Sequence, residues 1–442
     1  MTIRQARVEK IVEGGLGLAR DGHATILLPL AAPGDHVEYS QAGTSGKNHA
    51  EGQIERVLEA SPDRVEPSCD VYGICGGCQL QHLSAPAQIA VKQSVAAETL
   101  RRLGGIETPG AIPIEPAPAQ FGYRHRATFH IQWKAREPVV GFFRRRSHDV
   151  VEIARCPLLS PAANEALTLL REKILPAAAP LAPSRAEVVA TDDGRAEIAL
   201  HVAAPPAQRG VAELAAAANS AGLRALHWEA SPANAATLHE RGAPLAYEVP
   251  SIDGAATEMT FDARVFTQAN FAGNAKLVSA VAGIAVGGAM ARLADLHAGC
   301  GNFSVPLLWR TEYAHLVDVN ARALAHAERA AARDRTRRPG SGPKRIDVSA
   351  SPAADALARL AATRAPRPDL VILDPPRQGA PEIIRPLLAM EPPRILYVSC
   401  NVPTLARDLA ALVRGGYAID SLRLFDLYPQ TAHVEALAAL SR

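Results

Sequence analysis

The sequence predicts an α/β protein with three parts: a small N-terminal β-barrel, a central α+β region, and a doubly wound, mostly parallel C-terminal sheet. Three observations carry this. Beyond about residue 266, strand-like runs alternate with helical segments, as in "RLADLHAGCGNF", "HLVDVN", "PDLVILDPPRQG" and "RILYVSCNVP". That alternation is the pattern of a parallel sheet with helices on both faces. The first 60 residues hold short strand-like runs, "ARVEKIVEGGLGLAR", "ATILLPLA" and "HVEYSQA", separated by turn signals such as "APGD". Between these parts, "AEVVATDDGRAEIALHVA" reads as a hairpin with an Asp-Gly turn.

The chain has 442 residues, too many for one ordinary core. The expected division is 1–60, 61–265 and 266–442. The composition, 48% hydrophobic and 21% charged, is that of a globular protein and excludes disorder. A net charge of +2 permits a nucleic-acid partner without arguing for one. The opening "MTIRQARVEK" lacks the apolar core of a signal peptide. The apolar run over 278–290 is short, contains Gly-Gly and reads as a packed helix and turn. A soluble cytoplasmic protein away from membranes is therefore expected.

A small barrel of the N-terminal kind binds oligonucleotides in many proteins; a β appendage without a ligand is the alternative. In the central part, residues 88–103 have helical apolar spacing, and "YRHRATFHIQW" and "VVGFFRRRSHDVVEI" read as strands. They interleave Arg124, Arg126, Arg144, Arg145 and Arg146 with Tyr123, Phe129, Phe142 and Phe143. Arginines neutralise phosphates and aromatics stack on splayed bases; a solvated strand face is the alternative.

In the last part, ligands of a doubly wound sheet sit beyond the carboxyl ends of its strands. "DLHAGCGNF" places Gly299 and Gly301 after a strand, where the backbone can approach a ligand closely. Asp318 ends the next strand, placed to accept two hydrogen bonds from ribose hydroxyls. The spacing G-x-G-x-x-G is absent. This combination favours S-adenosylmethionine over a dinucleotide, with a simple tight turn as the alternative. "LDPPRQG" sets Asp374 at a strand exit stiffened by prolines. Cys400 ends the neighbouring strand, and Glu435 opens the last apolar run.

A thiol and a carboxyl on one rim suit a particular chemistry. C5 of a pyrimidine is a poor nucleophile. A thiolate adding to C6 makes C5 enolate-like, so that it accepts a methyl group, and a base then removes the C5 proton. For Cys400 alone, a buried apolar thiol is the competing reading.

Four other cysteines have a different pattern. Cys69, Cys75 and Cys78 have the spacing C-x5-C-x2-C, and Cys156 follows in "RCPLL". Such a set can enclose an iron–sulfur cluster or a structural zinc ion, or bind no metal.

Together these pieces resemble the bacterial 5-methyluridine RNA methyltransferases, in particular the branch with an iron–sulfur cluster that acts on 23S ribosomal RNA. The resemblance covers nearly the whole chain. It is carried by "GGLGLARDG", "LAAPGDHVE", "SPDRVEP", "CDVYGICGGCQLQH", "FTQAN", "DLHAGCGNFS", "LDPPRQG", "YVSCN" and "HVEAL". It implies a TRAM-type RNA-binding barrel, a central domain with a [4Fe-4S] cluster and a class I (Rossmann-like) methyltransferase domain. The cluster would sit on Cys69, Cys75, Cys78 and Cys156. Cys400 would be the nucleophile and Glu435 the base, with Asp374 where cofactor and uracil meet. Gln268, His297, Gly299, Asn302, Asp318 and Asp374 would hold S-adenosylmethionine, and the adenine contact is expected near Asp347. His297 stands where relatives usually carry an aromatic residue. Cys300 is expected to be a small packed residue. The implied partner is RNA, 23S rRNA foremost, met by a monomer. Rival readings are the same chemistry on transfer RNA and a non-catalytic iron–sulfur protein that binds RNA.

Overall fold

The computed structural model describes residues 3–22, 24–44, 49–135, 137–231, 234–251, 253–338, 342–362 and 366–442. Five strands, Ile3–Val12, Leu16–Asp21, Ala24–Pro29, His36–Thr44 and His49–Glu59, close into a barrel. Side chains alternate along each strand, so Ala6, Val8, Ala19, Ile26, Leu28, Val37 and Tyr39 fill its interior. Between the first two strands the turn Glu13–Gly15 has φ of 79° at Gly14 and 75° at Gly15. A Cβ on Gly15 would lie 2.8 Å from Gln79 Cβ and 3.3 Å from that of Ala432. Only glycine fits there, and the barrel docks on both later parts through this turn.

The chain then passes through the loop that bears Cys69, Cys75 and Cys78 into the helix Ala85–Thr99. Ser84 Oγ accepts from Ala87 N–H at 3.4 Å, capping the helix. The helix ends in a wider turn, Leu100–Gly104. The central part is a seven-stranded sheet. In spatial order its strands are Asn234–Glu240, Ala225–Ser231, Ala196–His201, Arg185–Ala190, Arg126–Lys134, Glu137–Phe143 and Val150–Glu152. The Asp-Gly hairpin joins Arg185–Ala190 to Ala196–His201, as expected.

This sheet corrects one reading of the basic strands. Tyr123 and Phe129 are buried and cannot receive a base. Tyr123 instead donates from its hydroxyl to Pro429 O at 2.9 Å. Phe129 faces the helix side because it alternates with the outward Thr128 and His130.

The last part is an eight-stranded sheet. Its spatial order is Arg345–Ala350, Tyr313–Asp318, Arg292–Leu296, Leu370–Leu373, Arg394–Ser399, Glu435–Ser441, Ala418–Phe425 and Ile114–Glu115. The first five run parallel. Separate apolar clusters cover the two faces, which is why these strands read as unbroken hydrophobic runs. The order reverses between Arg292–Leu296 and Leu370–Leu373, the switch point at which such sheets open a ligand crevice. Glu435–Ser441 is antiparallel to both its neighbours.

An earlier segment completes this sheet. Ile114–Glu115 forms its edge, and Ala96, Leu100 and Ile112 join the core on one face. Lys92 lies under the sheet end with Nζ 2.5 Å from Asp426 Oδ1, both side chains 1% exposed, and donates to Tyr428 O at 3.0 Å. Among the described residues, no helix is long and apolar enough to cross a membrane. Replacing Lys92 by Met would leave Asp426 as an unpaired buried charge. We expect urea unfolding to show a loss of about 3–5 kcal/mol; a loss below about 1 kcal/mol would mean that the pair carries no such weight.

Candidate active site

Parallel strands end together, so residues far apart in sequence meet at one rim. Asp318, Asp374 and Cys400 each stand at or just past a strand end. Glu435 joins them from the opposite direction, because its strand starts where the others stop. Ser399 pairs with Ala436, which sets Cys400 beside Glu435.

Glu435 is 1% exposed, and its Oε2 has no hydrogen-bond partner. Burial, with Asp374 nearby, pushes its carboxyl well above the ordinary range, and Arg377 pulls the other way. Burial, then Asp295 and Asp318, push the Asp374 carboxyl up to about 7. Asp295, inside the strand Arg292–Leu296, is raised to about 7 by burial, with Asp318 adding to the rise. Ser304, through its hydroxyl and its backbone, pulls the other way, although neither Asp295 oxygen makes a hydrogen bond of good distance and angle. Cys400 is half-buried; burial, Glu435 and Asp374 push its thiol up to about 11 against the pull of Arg377.

The glycine loop sits on the switch point. Gly299 N–H donates to Asp318 Oδ2 at 2.9 Å, and Asn320 N–H to Oδ1 at 2.7 Å, fixing that carboxylate at the crevice. Gly299 has φ of 53°, and a Cβ there would meet nothing within 4 Å, so its outer side is open space. A Cβ on Gly301 would lie 2.4 Å from Val305 Cγ2, so the following turn packs tightly only with glycine. His297 has φ of 106°, a conformation L residues rarely adopt. Its ring is held there with Nδ1 unpartnered, and burial lowers its proton affinity. This open cradle with a fixed acid and buried unpaired carboxyls fits a nucleoside-bearing cofactor.

Other residues expected as contacts have protein partners of their own. Asn302 Oδ1 accepts from Tyr247 at 2.9 Å and from Asn274 Nδ2 at 2.8 Å, while its Nδ2 donates to Asn274 Oδ1 at 2.9 Å. Its amide thus braces the glycine loop against the helix Phe271–Ala285. Gln268 is buried, its Oε1 accepting from the Tyr428 hydroxyl at 3.0 Å. Asp347 lies mid-strand and is occupied by Tyr313 at 2.7 Å and Arg345 at 2.7 Å. Cys300 is 3% exposed and packs in the core, as expected. Sequence reasoning missed Asp295, Tyr428, Arg377 and His433. All but Tyr428 lay within quoted motifs, but nothing in sequence marks the pairing of Arg377 with His433, whose Nη2–Nε2 distance is 3.3 Å.

Cys69, Cys75, Cys78 and Cys156 line one cavity of about 240 Å³ with Val71, Phe142, Ile153 and Leu159. Gly77 N–H points at Cys75 Sγ, 3.4 Å away, and Asn164 Oδ1 holds Cys156 N–H at 3.0 Å. Among the described residues no three His, Cys, Asp or Glu side chains converge to grip one ion. The four thiols surround a volume instead. Four thiolates around one cavity are a donor set that fits an iron–sulfur cluster or a structural zinc ion.

A model of the family described as tRNA (Uracil-5-)-methyltransferase matches residues 357–442. Among curated proteins, the chain is 34% identical to a "23S rRNA (uracil(1939)-C(5))-methyltransferase RlmD" of Alkalilimnicola ehrlichii, over 97% of this chain and 94% of that one. The protein of the same name from Azoarcus sp. is 32% identical, covering 99% of both. That of Pseudomonas putida is 34% identical, over 98% of this chain and 92% of its own. Among solved structures, a Pyrococcus abyssi tRNA (uracil-54, C5)-methyltransferase in complex with S-adenosyl-L-homocysteine superposes with a TM-score of 0.68. It is 21% identical, covering 98% of this chain and 100% of that one, and so shares the fold. This chain belongs to the family of 23S rRNA (uracil-C5)-methyltransferases.

The raised carboxyls give a signed expectation. Between pH 4 and 7 the folded protein keeps protons on Asp295 and Asp374 that the unfolded chain has lost. Their contribution to stability therefore falls as pH rises through that window. Asp295→Asn should raise unfolding free energy at pH 8 by roughly 1–3 kcal/mol and change little at pH 4. Urea titrations at both pH values measure this; an equal effect at both would remove the burial argument.

Proposed function

We propose that this protein methylates C5 of a uridine in 23S ribosomal RNA. The observation that carries the reading is the meeting of Cys400, Asp374 and Glu435 on one rim, in a chain of this family. Cys400, as thiolate, adds to C6 of the uracil, and the C5–C6 π pair moves towards C5 and the O4 carbonyl. S-adenosylmethionine, when bound, supplies the methyl group that C5 takes up. Glu435 then accepts the C5 proton, the sulfur–C6 bond breaks and the double bond returns. Burial gives Glu435 a high proton affinity, which makes its ionised form a stronger base. Asp374, whose carboxyl keeps its proton until about pH 7, can donate to a uracil carbonyl oxygen.

Asp318 would hold the ribose hydroxyls of the cofactor. Gln268, His297 and Gly299 would line its cradle, with Asn302 bracing the loop. Cys69, Cys75, Cys78 and Cys156 would hold a [4Fe-4S] cluster. Held by four thiolates, such a cluster would serve as a structural anchor for the segments that carry these cysteines and not as a reactive site.

The target base must leave its stack to reach Cys400, which favours a loop over intact duplex. Phe266, 68% exposed two residues before Gln268, is an aromatic surface on which a splayed base can stack. Arg144, Arg145 and Arg146 flank the cysteine loop, and Arg146 pairs with Glu51 of the barrel. The reading divides the chain into a TRAM-type region at 1–60, a cluster-bearing region at 61–265 and a catalytic region at 266–442. It places a monomer in the cytoplasm, away from membranes. Transfer RNA is the second reading, favoured by the description of the family model that matches the C-terminal residues.

Glu435→Gln should stall release and accumulate a covalent RNA adduct at Cys400 on a 23S fragment, seen as a gel-shifted band that resists denaturation. Adduct on transfer RNA alone would move the assignment to the second reading, and none on either RNA would end the mechanism. Anaerobic purification should give a brown protein with about four irons per chain, lost on Cys78→Ser; zinc without iron would favour the structural-zinc alternative.

A further inference from the structure

An attacking cysteine needs its thiolate, yet most groups around Cys400 oppose one. Asp374 and Glu435 both disfavour it. Cys400 also lines a cavity of about 140 Å³, together with Glu13, Lys92, Arg377 and His433 among others. Glu13 comes from the barrel turn and is a further carboxyl. The Lys92 ammonium is committed to Asp426 and Tyr428 O. His433 is neutral, because burial, Arg377, Lys92 and Arg124 hold its pKa down to about 4. The Tyr428 phenol is kept protonated by burial. Among the described residues that line this cavity, Arg377 is the cation with no carboxylate partner.

Its position is fixed at both ends. Asn401 Nδ2 donates to Arg377 O at 2.8 Å, and the Thr404 hydroxyl to the same oxygen at 3.1 Å. The Arg377 main chain is thereby tied to the turn that carries Cys400. Its guanidinium Nη2 donates to neutral His433 Nε2 at 3.3 Å, two residues before Glu435. The charge is thus braced between the loop of the nucleophile and the loop of the base.

We propose that Arg377 is a positioning residue, the fixed counter-cation that offsets part of the opposition around Cys400 and favours its thiolate. The role rests on the reading of Cys400 as nucleophile. The proton leaves sulfur for solvent, no electrons change hands, and the guanidinium stays charged throughout. Arg377 is exposed, so water and salt screen part of its effect in the free protein.

The test uses the full-length protein without RNA. Iodoacetamide alkylation of Cys400 is followed against pH by mass spectrometry of its peptide; a sulfur–carbon bond forms and iodide leaves. In Arg377→Met the midpoint should move up by about one pH unit, making alkylation about tenfold slower below it. Arg377→Lys should stay nearer the native profile, because a charge remains. A Met profile that overlays the native one overturns the proposal, as does a Lys profile no closer to native than Met. Methylation of a 23S fragment is measured in parallel. A native protein that alkylates as expected but methylates no RNA would count against the functional reading and leave the role of Arg377 intact.

Discussion

The antiparallel insertion of Glu435–Ser441 into an otherwise parallel row is the constraint on which the site depends. In a purely parallel sheet, every strand start lies at the bottom and every strand end at the rim. Reversing one strand brings its first residue to the rim. Glu435 can then stand beside Cys400, the one opening a strand and the other a single residue past a strand end. Both are held close to hydrogen-bonded backbone, so the geometry costs little ordering entropy when substrate arrives.

The same architecture makes the rim electrostatically expensive. Asp295 and Glu435 are buried with oxygens that lack partners, and Asp374 near them is partly buried. Much of the surrounding structure limits that expense. Asp318 is satisfied by two backbone amides, Lys92 neutralises Asp426, and the Asn274–Asn302 pair closes on itself.

Much of this was legible in the sequence because parallel strands obey a simple rule: the residue just past each apolar run lies at the rim. Asp318, Asp374 and Cys400 could be placed that way, and the barrel could be read from short runs with turn signals. The four spaced cysteines do line one cavity. Other features were hidden for physical reasons. Strand alternation says that Phe129 and His130 face opposite ways but not which way is solvent; helices packed later in the chain decide that. Lys92 and Asp426 are separated by 334 residues, and no local pattern foretells that pair. The hydrogen bonds of the Asn302 amide were hidden as well, because its partners Tyr247 and Asn274 lie in other segments.

The strand Ile114–Glu115 and the helix Ala85–Thr99 have one further consequence. The catalytic sheet borrows its edge, part of its core and the cation for Asp426 from chain that precedes the central sheet. The regions are therefore threaded through one another rather than strung in series. Recombination that swapped the front half for that of a distant relative would have to carry matching changes in the last fifty residues. Gain or loss of the cysteine loop in the history of such enzymes is thus constrained by the active-site strand against which it is stitched.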